Sequence, residues 1–208
     1  PPTEIYTLSL HDALPICRSY MILNKSDRLF LMVMLKEGEG TTIVRKYVKY
    51  IYDVLKSKMK KYQTQIGVGR IYKGLNQVHK SLQDASKALE AAMHYIGEDV
   101  VLFEEMGIYK ILSNSAVKSE LEIFYKDILE PLVLYDRRKD TELVKTLEEY
   151  FECNGNLKKM SEKLYTHYNT VLYRLTRIQE IMKIDLEKEE HRFAAQTALK
   201  VHKIMNVS

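Results

Sequence analysis

The chain of 208 residues lacks the features that mark disulfide-stapled, metal-binding and membrane-spanning proteins. Its two cysteines, Cys17 and Cys153, provide neither a disulfide framework nor the spacing of metal ligands. Nothing approaches the run of about 18 apolar residues that a membrane-spanning helix needs. These absences predict a cytoplasmic protein with no disulfide, metal, cofactor or membrane segment.

The composition that is present is that of an ordinary globular protein, with 46% hydrophobic and 29% charged residues. The length allows one large domain or two of about 100 residues each. A net charge of +4 is too small to indicate nucleic-acid binding by itself. The position of that charge along the chain is therefore more informative than its total.

Residues 1–16, PPTEIYTLSLHDALPI, differ from the rest of the chain. They begin without methionine and show neither the period of two nor the period of 3.6 that strands and helices produce. They also lack the basic and apolar regions of a signal peptide. We interpret them as a non-native or disordered leader and expect the native protein to be longer; a loosely ordered native arm is the alternative.

Residues 18–106 are predicted to form a small α/β sheet domain, because strand and helix patterns alternate. Strands are predicted at Arg28–Leu35, Ile66–Ile71 and Val100–Phe103, which we expect to form an antiparallel sheet. Ser81 is expected to open a helix that Gly97 ends. The two glycines of the Ile66–Ile71 strand suit tight packing better than a phosphate loop.

Residues 108–208 are predicted to be entirely helical, which makes the fold class α+β. One helix, Leu121–Leu129, is expected to stop at Pro131, because proline disfavours a helical residue before it. Asp136–Asp140 is expected to be a charged turn, followed by a helix over Thr141–Phe151. The last helix is predicted from about Glu190 to Met205.

Two closely spaced helices between Leu157 and Met182 form a candidate helix-turn-helix. The first covers Leu157–Leu164, and a break at Tyr165–Tyr168 separates it from a longer second helix. The second helix carries one apolar stripe at i, i+4, i+7 and i+11. Its members are Val171, Leu175, Ile178 and Met182.

The opposite face of the second helix is polar. At about 100° per residue, Asn169, Tyr173 and Thr176 point away from the stripe, flanked by Thr170 and Arg177. Such donors and acceptors suit base edges and phosphates.

Positive charge is concentrated in the same segment. Six basic and two acidic residues lie between Leu157 and Lys183, a local excess equal to the charge of the whole chain. The basic residues are Lys158, Lys159, Lys163, Arg174, Arg177 and Lys183. This pattern is compatible with DNA binding and equally with a plain α-helical hairpin.

The string His167-Tyr168-Asn169-Thr170-Val171-Leu172-Tyr173-Arg174-Leu175 resembles the HxNT-x2-YRL signature of the PucR/CdaR-type C-terminal helix-turn-helix. The resemblance extends upstream through Leu129–Leu132 with Tyr135 and Asp136, and through Leu143–Leu147 with Tyr150. Ile66–Arg70 and Ser81–Met93 resemble the GGDEF-like domain that precedes this motif in the family.

This resemblance implies a bacterial regulator that binds double-stranded DNA sequence-specifically, as a homo-dimer, and controls a catabolic operon. It does not identify the small-molecule effector. The expected DNA-binding residues are His167, Tyr168, Asn169, Thr170, Tyr173, Arg174, Thr176, Arg177, Lys158, Lys159 and Lys163.

Two positions depart from the family pattern. Ser161 stands where a small alanine is usual, and Tyr168 stands where an arginine is usual. The second change removes an expected phosphate or guanine contact, so the family's operator sequence does not carry over. We expect Arg174, beside the apolar stripe, to meet a phosphate or an intramolecular acid.

An enzyme and a protein-interaction module are the alternative interpretations. Cyclic-dinucleotide synthesis needs acidic metal ligands on a Gly-Gly hairpin, whereas the corresponding segment, Asn24–Arg28, has no glycine and one carboxylate. We therefore predict no enzyme activity. The predicted helices could also serve only oligomerisation, which the dimer of a DNA-binding regulator would itself require.

Overall fold

The computed structural model describes residues 20–25 and 28–205. The chain divides into two compact units, Pro1–Met106 and Gly107–Ser208, and each is described by itself. The predicted leader, Cys17, Ser26 and Asp27 lie outside the described residues.

The described residues of the first unit contain two small sheets and two long helices. Its elements are β1 (Tyr20–Lys25), β2 (Arg28–Val33), α1 (Thr41–Lys58), β3 (Ile66–Val68), α2 (Val78–Ala91) and β4 (Val100–Leu102). β1 and β2 form an antiparallel hairpin, whereas β3 and β4 pair in parallel. The expectation of one antiparallel sheet is therefore wrong for the described residues. The reason is that α2 lies between β3 and β4 in the chain, and such a crossover returns the second strand in the same direction.

α2 begins earlier than the capping pattern predicts. A short 3₁₀ turn at Leu75–Gln77 leads into the helix at Val78, so Ser81 does not open it. The Ser81 hydroxyl instead donates to the carbonyl of Arg70 at 2.8 Å. Gly97 does end the helical segment, with a left-handed φ of 78°.

Asp84 is a buried residue of α2 that binds the segment following β3. Its carboxylate accepts from Arg70 Nε at 2.8 Å and from the Tyr72 hydroxyl at 2.9 Å. Burial opposes its ionisation, but the hydrogen bonds from Arg70 and Tyr72 outweigh that cost and hold the pKa of Asp84 below its ordinary value.

Gly67 of β3 and Gly69, which follows the strand, allow this segment to lie directly on α2. A Cβ at Gly67 would stand 2.2 Å from the backbone nitrogen of Leu89, and one at Gly69 would stand 2.0 Å from the carbonyl oxygen of Ser81. Backbone atoms occupy the space beside both glycines, so close strand–helix packing accounts for them.

We predict that Gly67→Ala destabilises the first unit by about 1–3 kcal/mol, because the added methyl overpacks a backbone contact. Gly40→Ser is the matched control, since it adds a Cβ to open space at a helix N-cap where serine is favoured. Urea unfolding followed by circular dichroism measures both. A Gly67→Ala variant as stable as the parent would contradict the packing interpretation.

The second unit is helical throughout its described residues. Its elements are α3 (Tyr109–Leu112), α4 (Lys118–Ile128), α5 (Glu130–Lys139), α6 (Leu143–Glu152), α7 (Leu157–Lys163), α8 (Tyr168–Met182) and α9 (Glu189–Met205). One core joins them, and its fully buried side chains include Leu129, Leu132, Leu147, Met160, Val171 and Ile178.

The charged turn predicted at Asp136–Asp140 is wrong, because most of it is the last part of α5. Pro131 lies in the first turn of α5, where its missing amide has no helical partner to lose. Arg137, Arg138 and Lys139 end the helix, where positive charge suits the helix dipole. Asp140 follows in the left-handed region.

Asp136 connects α5 to α6. Its two carboxylate oxygens accept the backbone N–H groups of Leu143 and Val144, each at 2.9 Å. These donors belong to the first turn of α6 and have no partner within that helix. A side chain of one helix therefore caps the next.

α9 is held to α4 by a pair of aromatic rings. His202 stacks on Tyr125, with ring centroids 5.5 Å apart, and its Nδ1 lies 3.1 Å from the tyrosine hydroxyl. Burial lowers the pKa of His202, with Arg137 and Lys203 acting in the same direction against the opposing effect of Glu148.

We predict that the second unit loses stability on acidification. The folded pKa of His202 is below the ordinary value of about 6.5, so the unfolded chain binds more protons once the pH falls below that value. His202→Gln should reduce the fall in melting temperature between pH 7.5 and 5.5. The exposed His79→Gln should leave that fall unchanged, and an equal fall in both variants would contradict the role of His202.

Candidate DNA-binding site

α7 and α8 form a helix-turn-helix, and a side chain caps the N-terminus of each helix. The Asn156 side chain accepts from the backbone N–H of Lys159 at 3.1 Å and begins α7. His167 Nδ1 accepts from the backbone N–H of Asn169 at 3.2 Å and begins α8. The boundaries lie within one residue of those predicted from the sequence.

The turn between the helices is a Schellman motif built on Tyr165. The N–H of Thr166 donates to Ser161 O at 3.0 Å, and the N–H of Tyr165 donates to Glu162 O at 3.3 Å. Tyr165 has a φ of 50°, the left-handed conformation that glycine usually supplies at this position. Its side chain is 97% exposed, so no packing offsets the strain.

The predicted apolar stripe of α8 is buried. Val171 and Ile178 are completely covered, and Leu175 and Met182 are nearly so. α5, α6 and α7 pack around this face. Because the helix has 3.6 residues per turn, burial of the stripe turns the opposite face outward.

The outward face begins with the residues of the sequence signature. Tyr168, Asn169, Thr170 and Tyr173 are all exposed, as is His167 at the cap. The amide of Asn169 and the hydroxyl of Tyr173 make no hydrogen bond to the described residues. They are available to a ligand without breaking an internal contact.

The two arginines of α8 are engaged within the unit. Arg174 donates to the Thr146 hydroxyl at 3.4 Å and makes no ion pair with an acid among the described residues. Arg177 lies over the Tyr135 ring, donates to its hydroxyl at 3.4 Å and pairs with Glu180 at 2.7 Å. The hydrogen bonds to Glu180 and Tyr135 raise the pKa of Arg177. Both side chains therefore position α8 on α5 and α6.

Of the three lysines of α7, one is engaged in ion pairs and two are not. Lys163 pairs with Glu149 at 3.1 Å and Glu152 at 2.8 Å, and these hydrogen bonds raise the pKa of the lysine. The ammonium groups of Lys158 and Lys159 make no ion pair with the described residues. Glu149 and Glu152 lie before Leu157, so the charge count over Leu157–Lys183 did not include the two acids that neutralise Lys163.

Thr176 and Leu172 alter the predicted composition of the outward face. The Thr176 hydroxyl donates to the carbonyl of Leu172 at 3.1 Å, so its proton is not available to a base. Leu172 is 48% exposed beside it. Leu172 is absent from the predicted contact residues because only polar groups were considered for that face. The helical period places it about 100° from the buried Val171, and therefore to one side of the apolar stripe.

Within the described residues, no three histidine, cysteine or acidic side chains are grouped to hold a metal. No helix there is long and apolar enough to cross a membrane.

Two family models match the chain. The GGDEF-like domain matches residues 9–91, and the PucR C-terminal helix-turn-helix domain matches residues 143–201. Together they cover more than half of the chain, with α7 and α8 inside the second match.

Curated relatives from Bacillus subtilis (strain 168) include three regulators. The DNA-binding transcriptional activator AdeR is 29% identical over 178 residues, 85% of this chain and 42% of the relative. The proline-responsive transcriptional activator PutR is 34% identical over 123 residues, 58% of this chain and 30% of the relative. The purine catabolism regulatory protein is 24% identical over 161 residues, 72% of this chain and 30% of the relative.

The chain contains a GGDEF-like domain followed by a PucR-type helix-turn-helix domain, the arrangement that its sequence signature indicated. It spans less than half the length of these curated relatives.

We predict that Tyr165→Gly stabilises the second unit by about 0.5–1 kcal/mol. Glycine removes the steric strain of the left-handed conformation. Part of this gain is lost because glycine increases the conformational entropy of the unfolded chain. Tyr165→Ala is the control, because alanine keeps the steric penalty and should stabilise little. Urea unfolding compares the variants, and equal stabilisation by alanine would show that the backbone strain is not the cause.

Proposed function

We propose that this protein is a sequence-specific, DNA-binding transcription regulator in which α8 enters the major groove. The exposed N-terminal half of α8 carries the proposal, because the side chains of Asn169 and Tyr173 make no hydrogen bond to the described residues while the opposite face is buried. The B-DNA major groove is about 12 Å wide and admits one α-helix. The match of residues 143–201 to the PucR C-terminal helix-turn-helix domain supports the same conclusion.

Asn169 and Tyr173 are the proposed base-contacting residues. They lie about one helical turn apart on the outward face, so they can meet base pairs about two steps apart. A carboxamide can both donate to and accept from an adenine edge, and a phenol hydroxyl can do either. His167, Tyr168 and Thr170 stand at the start of α8, where contacts with the phosphate backbone also fit.

Lys158 and Lys159 are the proposed phosphate-binding residues, because their charges are not compensated by ion pairs. Arg174, Arg177 and Lys163 belonged to the predicted contact set, and we now propose that they position the helices. The three basic side chains would have to break their contacts with Thr146, Tyr135 and Glu149 before they could reach DNA.

The wider role is proposed from the relatives. PutR is described as proline-responsive and another relative as a purine catabolism regulator, which supports control of a catabolic operon in the bacterial cytoplasm. A homo-dimer would fit an operator with two half-sites. We propose a non-catalytic role for the GGDEF-like unit.

To test the proposal, the purified chain selects duplexes from a random pool. The affinity of the selected duplexes is then measured for the parent chain and for the variant Asn169→Ala. Loss of a base contact should cost about 1–3 kcal/mol and relax the preference at one position. Lys159→Ala should weaken all duplexes alike and lower the salt slope by about one.

Lys118→Ala is the charge control, because Lys118 is exposed in α4 of the same unit, outside the helix-turn-helix. It should leave the affinity and the salt slope nearly unchanged. If the parent chain enriches no duplex at low salt, the proposal fails and the helical unit serves protein interaction instead.

A further inference from the structure

The outward surface of α8 consists of two parallel strips. Asn169 and Tyr173 form a hydrogen-bonding strip. Beside it, Tyr168, Leu172 and Thr176 follow one another at i, i+4 and i+8, and therefore lie in one line along the helix. We call this second line the apolar strip.

The apolar strip presents hydrocarbon in its middle and at its C-terminal end. Leu172 is 48% exposed, and Thr176 has committed its hydroxyl proton to the carbonyl of Leu172. The γ-methyl of Thr176 therefore continues the surface that the leucine begins. A single exposed leucine needs no explanation, but here it continues into a second apolar group on the face proposed to meet DNA.

We propose that the apolar strip contacts thymine 5-methyl groups, with Leu172 as the principal specificity-determining residue. This inference rests on the proposed function. Thymine is the base that presents a methyl group in the major groove, and apolar side chains contact it there. Residues four apart rise about 6 Å along a helix, close to two base-pair steps of about 3.4 Å. Leu172 and Thr176 would thus contact thymines about two base pairs apart.

The experiment uses the full chain and duplexes that it selects from a random pool. Each thymine of the selected duplex is replaced in turn by deoxyuridine, which lacks only the 5-methyl group. We expect the parent chain to lose about three- to fivefold in affinity at one or two positions, the effect of one buried methyl.

Leu172→Ala tests the residue assignment. Its affinity for the thymine duplex should fall about three- to tenfold, and it should no longer distinguish thymine from uracil at the sensitive position. Leu134→Ala is the matched control, since Leu134 is 44% exposed in α5 and undergoes the same truncation. The control should keep the full thymine preference.

The outcomes separate this inference from the proposed function. If no duplex is selected, the proposed function itself fails. If a duplex is bound but every uracil substitution leaves the parent's affinity unchanged, DNA binding stands and the apolar strip does not contact methyl groups. If Leu172→Ala keeps the preference, another residue contacts the thymine. The uracil series with the parent chain decides the first point even if the alanine variant does not fold.

Discussion

Burial of one face of α8 is the constraint on which the rest of the second unit depends. Val171, Leu175, Ile178 and Met182 remove that face from water, and the helical period then turns Asn169 and Tyr173 outward. Any rotation of α8 about its axis would expose the apolar stripe and bury unpaired polar groups, both of which cost free energy. The direction of the proposed recognition face is therefore set by packing.

The charged side chains around this helix act mainly within the protein. Arg174 and Arg177 connect α8 to α6 and α5, and Lys163 connects α7 to the carboxylates of α6. Lys158 and Lys159 on α7 and Lys183 after α8 are exposed and make no ion pair with the described residues, and we propose that the two lysines of α7 meet phosphates. A count of basic residues overstated the charge available to DNA, because acids outside the counted segment fold back against it.

The two units meet the steric demands of close packing and tight turns by different means. In the first, Gly67 and Gly69 let a strand lie against a helix backbone, where any side chain would collide. In the second, Asp140, Tyr165 and Lys183 adopt left-handed conformations directly after helices, at a position where glycine is common. Backbone hydrogen bonds close each of these turns and hold the helix end in place although a residue with a Cβ is strained in this conformation.

The sequence by itself determined the approximate positions of α4, α6 and α9, the boundaries of α7 and α8 and the buried stripe, because these follow from local period and capping. Its signature also indicated the family. Tertiary structure decided that β3 and β4 pair in parallel, that Pro131 begins a helix, and that Asp136 caps α6. It also decided which basic residues are engaged, since Tyr135, Thr146 and Glu149 lie 14 or more positions away from their partners in the chain. Local patterns fix which face of a helix is apolar, but only the folded chain shows what stands opposite each polar group.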